Sequence, residues 1–376
     1  MNRSFKLVTV FNIPIEINYT WFLVFGLVIF TLAKGYFPAD DPGLPDSVHW
    51  FMAIVAALFF FASLLAHELA HSLVAIRNGL AINGITLFVF GGVAHLEEEP
   101  SSPWVELKMA LAGPALSFGL SFFFFALTQT FLSLGVPSVI LSITNYLFII
   151  NFMVGLFNLI PGFPLDGGRV LRASLWACTK DLKKATRIAS ALGKGFAYFL
   201  IAAGLYLLFK EKTIFGIWYI FIGLFLQEAA GSSYQRLMLQ RSLTGVRTSE
   251  IMSRDVVSVP ASLPLDKLLD DYFFRYRFAA FPVVDDDNIL GLVTFHSVKE
   301  IDRNKWPLLT AREAMIPLSG QMTISESTEL ISAMAKMAGN GLGRLLVIDG
   351  AKLIGIISQR DIMRLFELKS ELDLKE

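Results

Sequence analysis

FFFASLLAHELAHSLVA, residues 59–75, places two histidines four apart with a glutamate between them, at the end of an uncharged apolar run from Trp50 to Ala66. Residues four apart on a helix share a face one turn apart, which lets His67 and His71 hold one zinc while Glu68 stands one position round to act on water. A run this long and apolar is also a membrane-span candidate, since a spanning helix needs about 20 mostly apolar residues. Ionisable groups inside such a helix are expensive and mark a function by default. The stretch therefore predicts metal chemistry inside a membrane, and water must find a way to it.

Composition agrees with two solvents. Hydrophobic residues make up 54% of the 376, with 34 phenylalanines and only 17% charged residues, far from the roughly half apolar and quarter charged of a soluble domain. The excess lies almost wholly before residue 230; Ser242 to Glu376 alternates charge, glycine and short apolar runs. Net charge is zero, so no polybasic signal points to nucleic acid. Cys178 stands alone, which excludes an internal disulfide and disfavours cysteine as a zinc ligand.

Six spans are predicted: Tyr19–Ala33 with its flanks, Trp50 to about Val74, two in the 57 uncharged residues from Met109 to Leu165, the Tyr198 region ending at Phe209, and Thr213–Leu226. Gly135 to Ser138 supply the turn inside the uncharged stretch. The first span reads as an uncleaved anchor. Arg3 and Lys6 precede it, Asp40, Asp41 and Asp46 follow it, and Arg169, Arg172, Lys180, Lys183, Lys184 and Arg187 crowd the loop after the fourth span. Lys and Arg excess marks the cytoplasmic side, which puts both termini there, with Lys210 and Lys212 on an outer turn as the exception. The third span holds Ala110, Ala112, Gly113, Pro114, Ala115, Ser117 and Gly119, small residues that let helices approach; packing, not chemistry, is assigned to it.

The second span runs inward, so His67 and His71 lie in its cytoplasmic half. The fourth span also ends on that side, in NLIPGFPLDGGRV, residues 158–170, bringing Asp166 near them. An aspartate oxygen would complete a three-ligand catalytic site with an open position; capping the turn or pairing with Arg169 is the alternative.

HELAH in the second span, AGPALS in the third and NLIPGFPLDGGRV after the fourth together resemble the site-2 protease family of intramembrane zinc metalloproteases, in its six-helix branch with a C-terminal CBS domain. The resemblance implies that His67, His71 and Asp166 bind one zinc per chain and that Glu68 is the general base. It implies further that Asn158 contacts the scissile region, unless it merely ends a helix. The substrate implied is a transmembrane segment of another protein, unwound in the bilayer and cut through a cavity open to the cytoplasm, as in regulated intramembrane proteolysis.

GLAINGITLFVFGGVAHLEEEP, residues 79–100, is too β-branched and glycine-interrupted for a helix. Ile82–Phe90 and Val93–Glu97 read as strands about Gly91 and Gly92, a re-entrant hairpin beside the zinc site whose edge is suited to hold a substrate as an added strand. His95 reads as a polar hairpin residue, not a ligand.

After a basic segment with Arg236, Arg241 and Arg247, the tail repeats itself. FPVVDDDNILGLVTFHSVKEI from Phe281 aligns without gaps on LLVIDGAKLIGIISQRDIMRL from Leu345, 64 residues on, with SEIM and REAM upstream. This resembles a tandem pair of CBS motifs, a module that often binds adenine nucleotides. Ser358 and Asp361 match its ribose-binding pattern; Thr294 matches in the first copy, but Ser297 replaces the aspartate. A purely structural or homodimer-forming pair is the alternative.

The expected fold class is thus a multi-pass α-helical membrane protein, six transmembrane helices with a re-entrant β-hairpin, plus a soluble α/β tandem CBS domain. The boundaries are 1–230 for the membrane domain, 231–248 for a linker, and 249–301 and 312–367 for the two motifs. The expected function is an intramembrane zinc metalloendopeptidase of the cell membrane, with its CBS pair cytoplasmic and modulated by ATP or another adenine nucleotide. A CBS-gated transporter or channel is the runner-up, though no paired repeat is visible among the spans; a zinc hydrolase acting on lipid or cytosolic peptides is the third class.

Overall fold

A computed structural model gives the fold and describes residues 4–89, 91–96, 99–210, 215–286, 288–350 and 352–373. Arg3, Phe90, Glu97, Lys212 and Thr213, invoked above, lie outside the described residues, as do the side chains of Arg236 and Arg241. The chain forms two compact units, residues 1–235 and 236–376.

The first unit is built on α1 (Tyr19–Thr31), α2 (Asp46–Arg77), α3 (Pro103–Ser133), α4 (Ser138–Asn158), α5 (Asp166–Thr179), α6 (Leu182–Phe209) and the part of α7 (Phe215–Leu243) before residue 236. Among the described residues five segments are long and apolar enough to cross a membrane: Tyr19–Asp40, which extends α1, and α2, α3, α4 and α6. The sixth expected span begins outside those residues, and from Phe215 the chain is helical through α7. Phe22, Phe122, Phe123, Phe199 and Phe209 are exposed, while His67, Glu106, Ser117, Asn151 and Arg172 are buried. That inversion suits a hydrocarbon solvent and a polar interior.

Ends are set by local chemistry. Asp46 opens α2 and Arg77 closes it, each charge opposing the helix dipole. Ser102 caps α3, accepting from the Val105 amide at 3.4 Å, with Pro103 in the first turn.

A four-stranded sheet, in the order β1 (Ser4–Val10), β2 (Ile13–Asn18), β3 (Ile82–Phe88), β4 (Gly91–Leu96), lies against α2. Its first two strands were not expected. Phe11 and Asn12, both with positive φ, make the two-residue turn between them. β2 then pairs in parallel with β3, Ile15 opposite Ile85, and alternates buried and half-buried residues along its length. Ile13, Ile17, Ile85 and Leu87 pack on Leu65 and Leu69 of α2. The expected hairpin is thus the outer half of a sheet.

In the second unit the two repeats share one strand arrangement. β5 (Val259–Pro260) runs parallel to β6 (Ala280–Asp285), which pairs antiparallel with β7 (Asn288–Thr294) and through it with β8 (Ile316–Pro317). In the second copy β9 (Thr323–Ile324), β10 (Arg344–Asp349) and β11 (Lys352–Ser358) repeat the arrangement. The lead-in segments are exchanged between repeats. Met252, although it precedes the first motif, packs with Val347 and Ile357 of the second, and Ser253 and Ile356 trade backbone hydrogen bonds of 2.9 and 3.0 Å. Conversely Ala311 and Ala314 join the first motif's core. Residues 231–248, read as a linker, are helical to Leu243, and Leu239, Leu243 and Val246 pack in the second motif's core.

Candidate active site

His67 and His71 stand one turn apart on α2, and Asp166 is the first residue of α5, where free helix N–H groups favour a carboxylate. His67 Nε2 and His71 Nε2 are 3.2 Å apart, and each lies 3.1 Å from Asp166 Oδ2. These edges are close to the roughly 3.3 Å between corners of a tetrahedron whose ligands lie about 2.0 Å from a central zinc. Two nitrogens and a carboxylate oxygen converging so tightly are a donor set that zinc fits. Exposure is graded across the set: His67 keeps 2%, His71 11% and Asp166 17%.

Behind each imidazole is an orienting partner, both on α3. His71 Nδ1 donates to the Met109 carbonyl at 2.6 Å, which leaves Nε2 unprotonated and facing the cluster. His67 Nδ1 lies 2.8 Å from Ser117 Oγ, a hydroxyl that accepts when the imidazole proton is on Nδ1. Such partners fix tautomer and ring orientation in metal-binding histidines. Gly113, between them, presents no side chain: a Cβ there would collide with Nε2 of both histidines. The third helix, assigned to packing from the sequence, is therefore part of the site. Its signal was the small-residue run AGPALS, whose glycine and serine serve the histidines.

Glu68 is partly buried beside the cluster. The sheet closes over it, for a Cβ on Gly92 of β4 would come within 2.5 Å of Glu68 Cγ. His95 bonds to Thr86 Oγ1 at 2.9 Å within the sheet and stands outside the metal-binding group. Asn158 is the half-buried last residue of α4, eight residues before Asp166, and is not one of the three converging groups.

The second unit holds the other expected residues. Ser358 and Asp361 bond to each other: Asp361 Oδ2 accepts from the Ser358 amide at 2.8 Å and from its hydroxyl at 2.6 Å. Thr294 and Ser297 make the equivalent reciprocal cap, the Ser297 amide donating to Thr294 Oγ1 at 3.0 Å and its hydroxyl lying 3.2 Å from the Thr294 amide. Both pairs thus start helices. The copies differ beside them. Arg344 lies opposite Ser358 in the sheet where Ala280 lies opposite Thr294. Burial and the like charge of Arg360 hold the Arg344 guanidinium below its usual value, opposed by Asp361. Two guanidinium groups therefore crowd the second copy's site, and Ala280 leaves the first copy without the counterpart of Arg344.

Comparison with known proteins bears on both units. The family model for Peptidase family M50 matches residues 55–136 and 134–202, and that for the CBS domain matches 249–303 and 312–368. The chain is 34% identical over 367 residues to the putative zinc metalloprotease sll0528 of Synechocystis sp., covering 97% of this chain and 96% of that protein. It is 31% identical over 375 residues to zinc metalloprotease MJ0392 of Methanocaldococcus jannaschii, covering 99% of each. A solved structure of a site-2 protease from Methanocaldococcus jannaschii is 31% identical over 61% of this chain and 95% of that one, with a TM-score of 0.43.

Proposed function

The chain belongs to peptidase family M50, and from that premise we propose that it is an intramembrane zinc metalloprotease that cuts transmembrane segments of other proteins at the cluster of His67, His71 and Asp166. The observation that carries the assignment is the near-equilateral triangle of His67 Nε2, His71 Nε2 and Asp166 Oδ2. His67, His71 and Asp166 would hold the zinc, which would supply Lewis acidity toward water and the scissile carbonyl. The Glu68 carboxylate takes the attacking water's proton and returns it to the leaving nitrogen. Asn158 Nδ2 donates a hydrogen bond to the developing oxyanion, a contact typically worth about 3 kcal/mol. β4 is the last strand of its sheet, and an unwound substrate adds to it as a further strand beside Glu68.

Water reaches the metal from the cytoplasm in the same reading. Lys and Arg crowding after α4 puts Asp166 on the cytoplasmic side, and water enters there, along the face on which Asp166 and His71 keep their exposure. The CBS pair then lies in the cytoplasm and binds an adenine nucleotide at Ser358 and Asp361, with Arg344 beside its phosphates; Thr294 marks the weaker first-copy site.

Zinc content and cleavage, measured together, test the assignment. Glu68→Gln is expected to keep about one zinc per chain and lose cleavage of a membrane substrate, since the base is not a ligand. Asp166→Ala is expected to lose both. Full cleavage by Glu68→Gln would overturn the mechanism, and parental zinc content in Asp166→Ala would return that carboxylate to a local structural role.

A further inference from the structure

Arg172, on α5 six residues past Asp166, is only 5% exposed and has no part in the chemistry above. Its Nε donates to Glu106 Oε1 at 2.5 Å. Its Nη2 closes on the same oxygen and donates to Glu99 Oε2 at 2.9 Å. The guanidinium also lies over the Phe163 ring, 5.2 Å from its centre. Glu106 is 1% exposed, and its second oxygen, Oε2, is buried with no hydrogen-bond partner among the described residues. Burying Arg172 and Glu106, with Glu99 half-buried beside them, and orphaning one oxygen costs stability relative to an apolar filling of the same space, so the arrangement calls for a reason beyond stability.

Every partner of Arg172 leads to a different part of the site. Phe163 is three residues before Asp166, with its amide held by the Ala189 carbonyl at 3.1 Å. Glu106 is three residues before Met109, whose carbonyl orients His71. Glu99 is three residues past β4, the strand whose Gly92 lies against Glu68. The two carboxylates differ in setting: the Glu106 side chain is 1% exposed and that of Glu99 34%. Water competes for the second contact and not for the first.

We propose that Arg172 is a positioning residue with one permanent and one releasable arm. Its bond to Glu106 fixes α5, and with it Asp166, against the helix that orients the histidines. Its bond to Glu99 holds β4 down over Glu68. A substrate strand adding to β4 then breaks the Glu99 contact without disturbing Asp166, so the cover moves while the metal ligands stay placed. The first arm rests on the proposed zinc site, the second on the proposed addition of a substrate strand to β4.

The full chain in lipid nanodiscs tests both arms, read by amide hydrogen exchange of Ile82–Phe88 and Gly91–Leu96 and by the rate of zinc loss to a chelator. Glu99→Gln is expected to speed strand exchange about two- to fivefold, the range of a part-exposed ion pair, at an unchanged zinc-loss rate. Glu106→Gln is expected to speed zinc loss about tenfold and leave strand exchange unchanged. Arg172→Lys, which keeps the charge but not the fork, is expected to move both. Strand exchange at the parent rate in Glu99→Gln overturns the releasable arm. Equal shifts of both readouts in Glu99→Gln and Glu106→Gln overturn the division of labour and leave a merely structural cluster. A parent protein without zinc sinks the metal assignment while the exchange comparison still stands, so the two failures are separable.

Discussion

Ser117 Oγ lies 2.8 Å from His67 Nδ1, across 50 residues of sequence. With the hydroxyl accepting, the imidazole proton stays on Nδ1 and the Nε2 lone pair faces the other two ligands. Ser117→Ala is expected to weaken zinc binding about tenfold, the low end for loss of such an orienting partner, with little change in thermal stability. Competition with a chelator of known affinity measures it; unaltered affinity would show that packing alone sets the ring.

Gly113 offers a steric counterpart. Gly113→Ala puts a methyl group where the two Nε2 atoms converge, so either α3 retreats or the rings rotate. Zinc content is expected to fall well below one per chain, with a loss of about 1–3 kcal/mol from overpacking. Metal analysis alongside thermal unfolding separates the two effects.

In the second unit, Arg344→Ala and Asp361→Asn are each expected to weaken adenine nucleotide binding about tenfold or more, as befits charged hydrogen bonds, while Ser297→Ala changes little. Asparagine at 361 retains an acceptor for the helix cap, so folding is preserved. Calorimetry with ATP on the full chain checks this, and no binding at millimolar ATP would leave the pair without a nucleotide role.

Membrane orientation is tested by thiol labelling of intact cells in a Cys178→Ser background, needed because Cys178 is exposed. A cysteine at Asp41 is expected to react with an impermeant reagent and one at Lys183 not to. The opposite pattern would place the water route on the other face.

Much of the site was legible because helical periodicity and hydropathy are local. Spacing put His67 and His71 on one face, and the charge-free stretch ending at Leu165 delivered Asp166 to the same end. Ser117 and Gly113 were not legible as functional, since small residues in an apolar helix read equally well as packing. Nor was the sheet before α1: Ile13, Ile15 and Ile17 alternate correctly, but six residues beside a longer apolar run read as its flank, and the pairing of Ile15 with Ile85 is not local. Thr294 and Ser297 pair across the start of a helix, and the motif alone did not show that local bond.

The exchange of lead-in segments means that the tail cannot be shortened by one repeat. A chain ended after Pro307 would strip Ala311 and Ala314 from the first motif's core and leave Leu243, Val246 and Met252 facing water, so neither half would be whole. Deleting the second copy to silence a nucleotide site would therefore unfold the first, and loss of activity in such a truncation would report a collapsed domain, not a missing ligand. Point substitutions at Arg344 and Asp361 avoid that confusion.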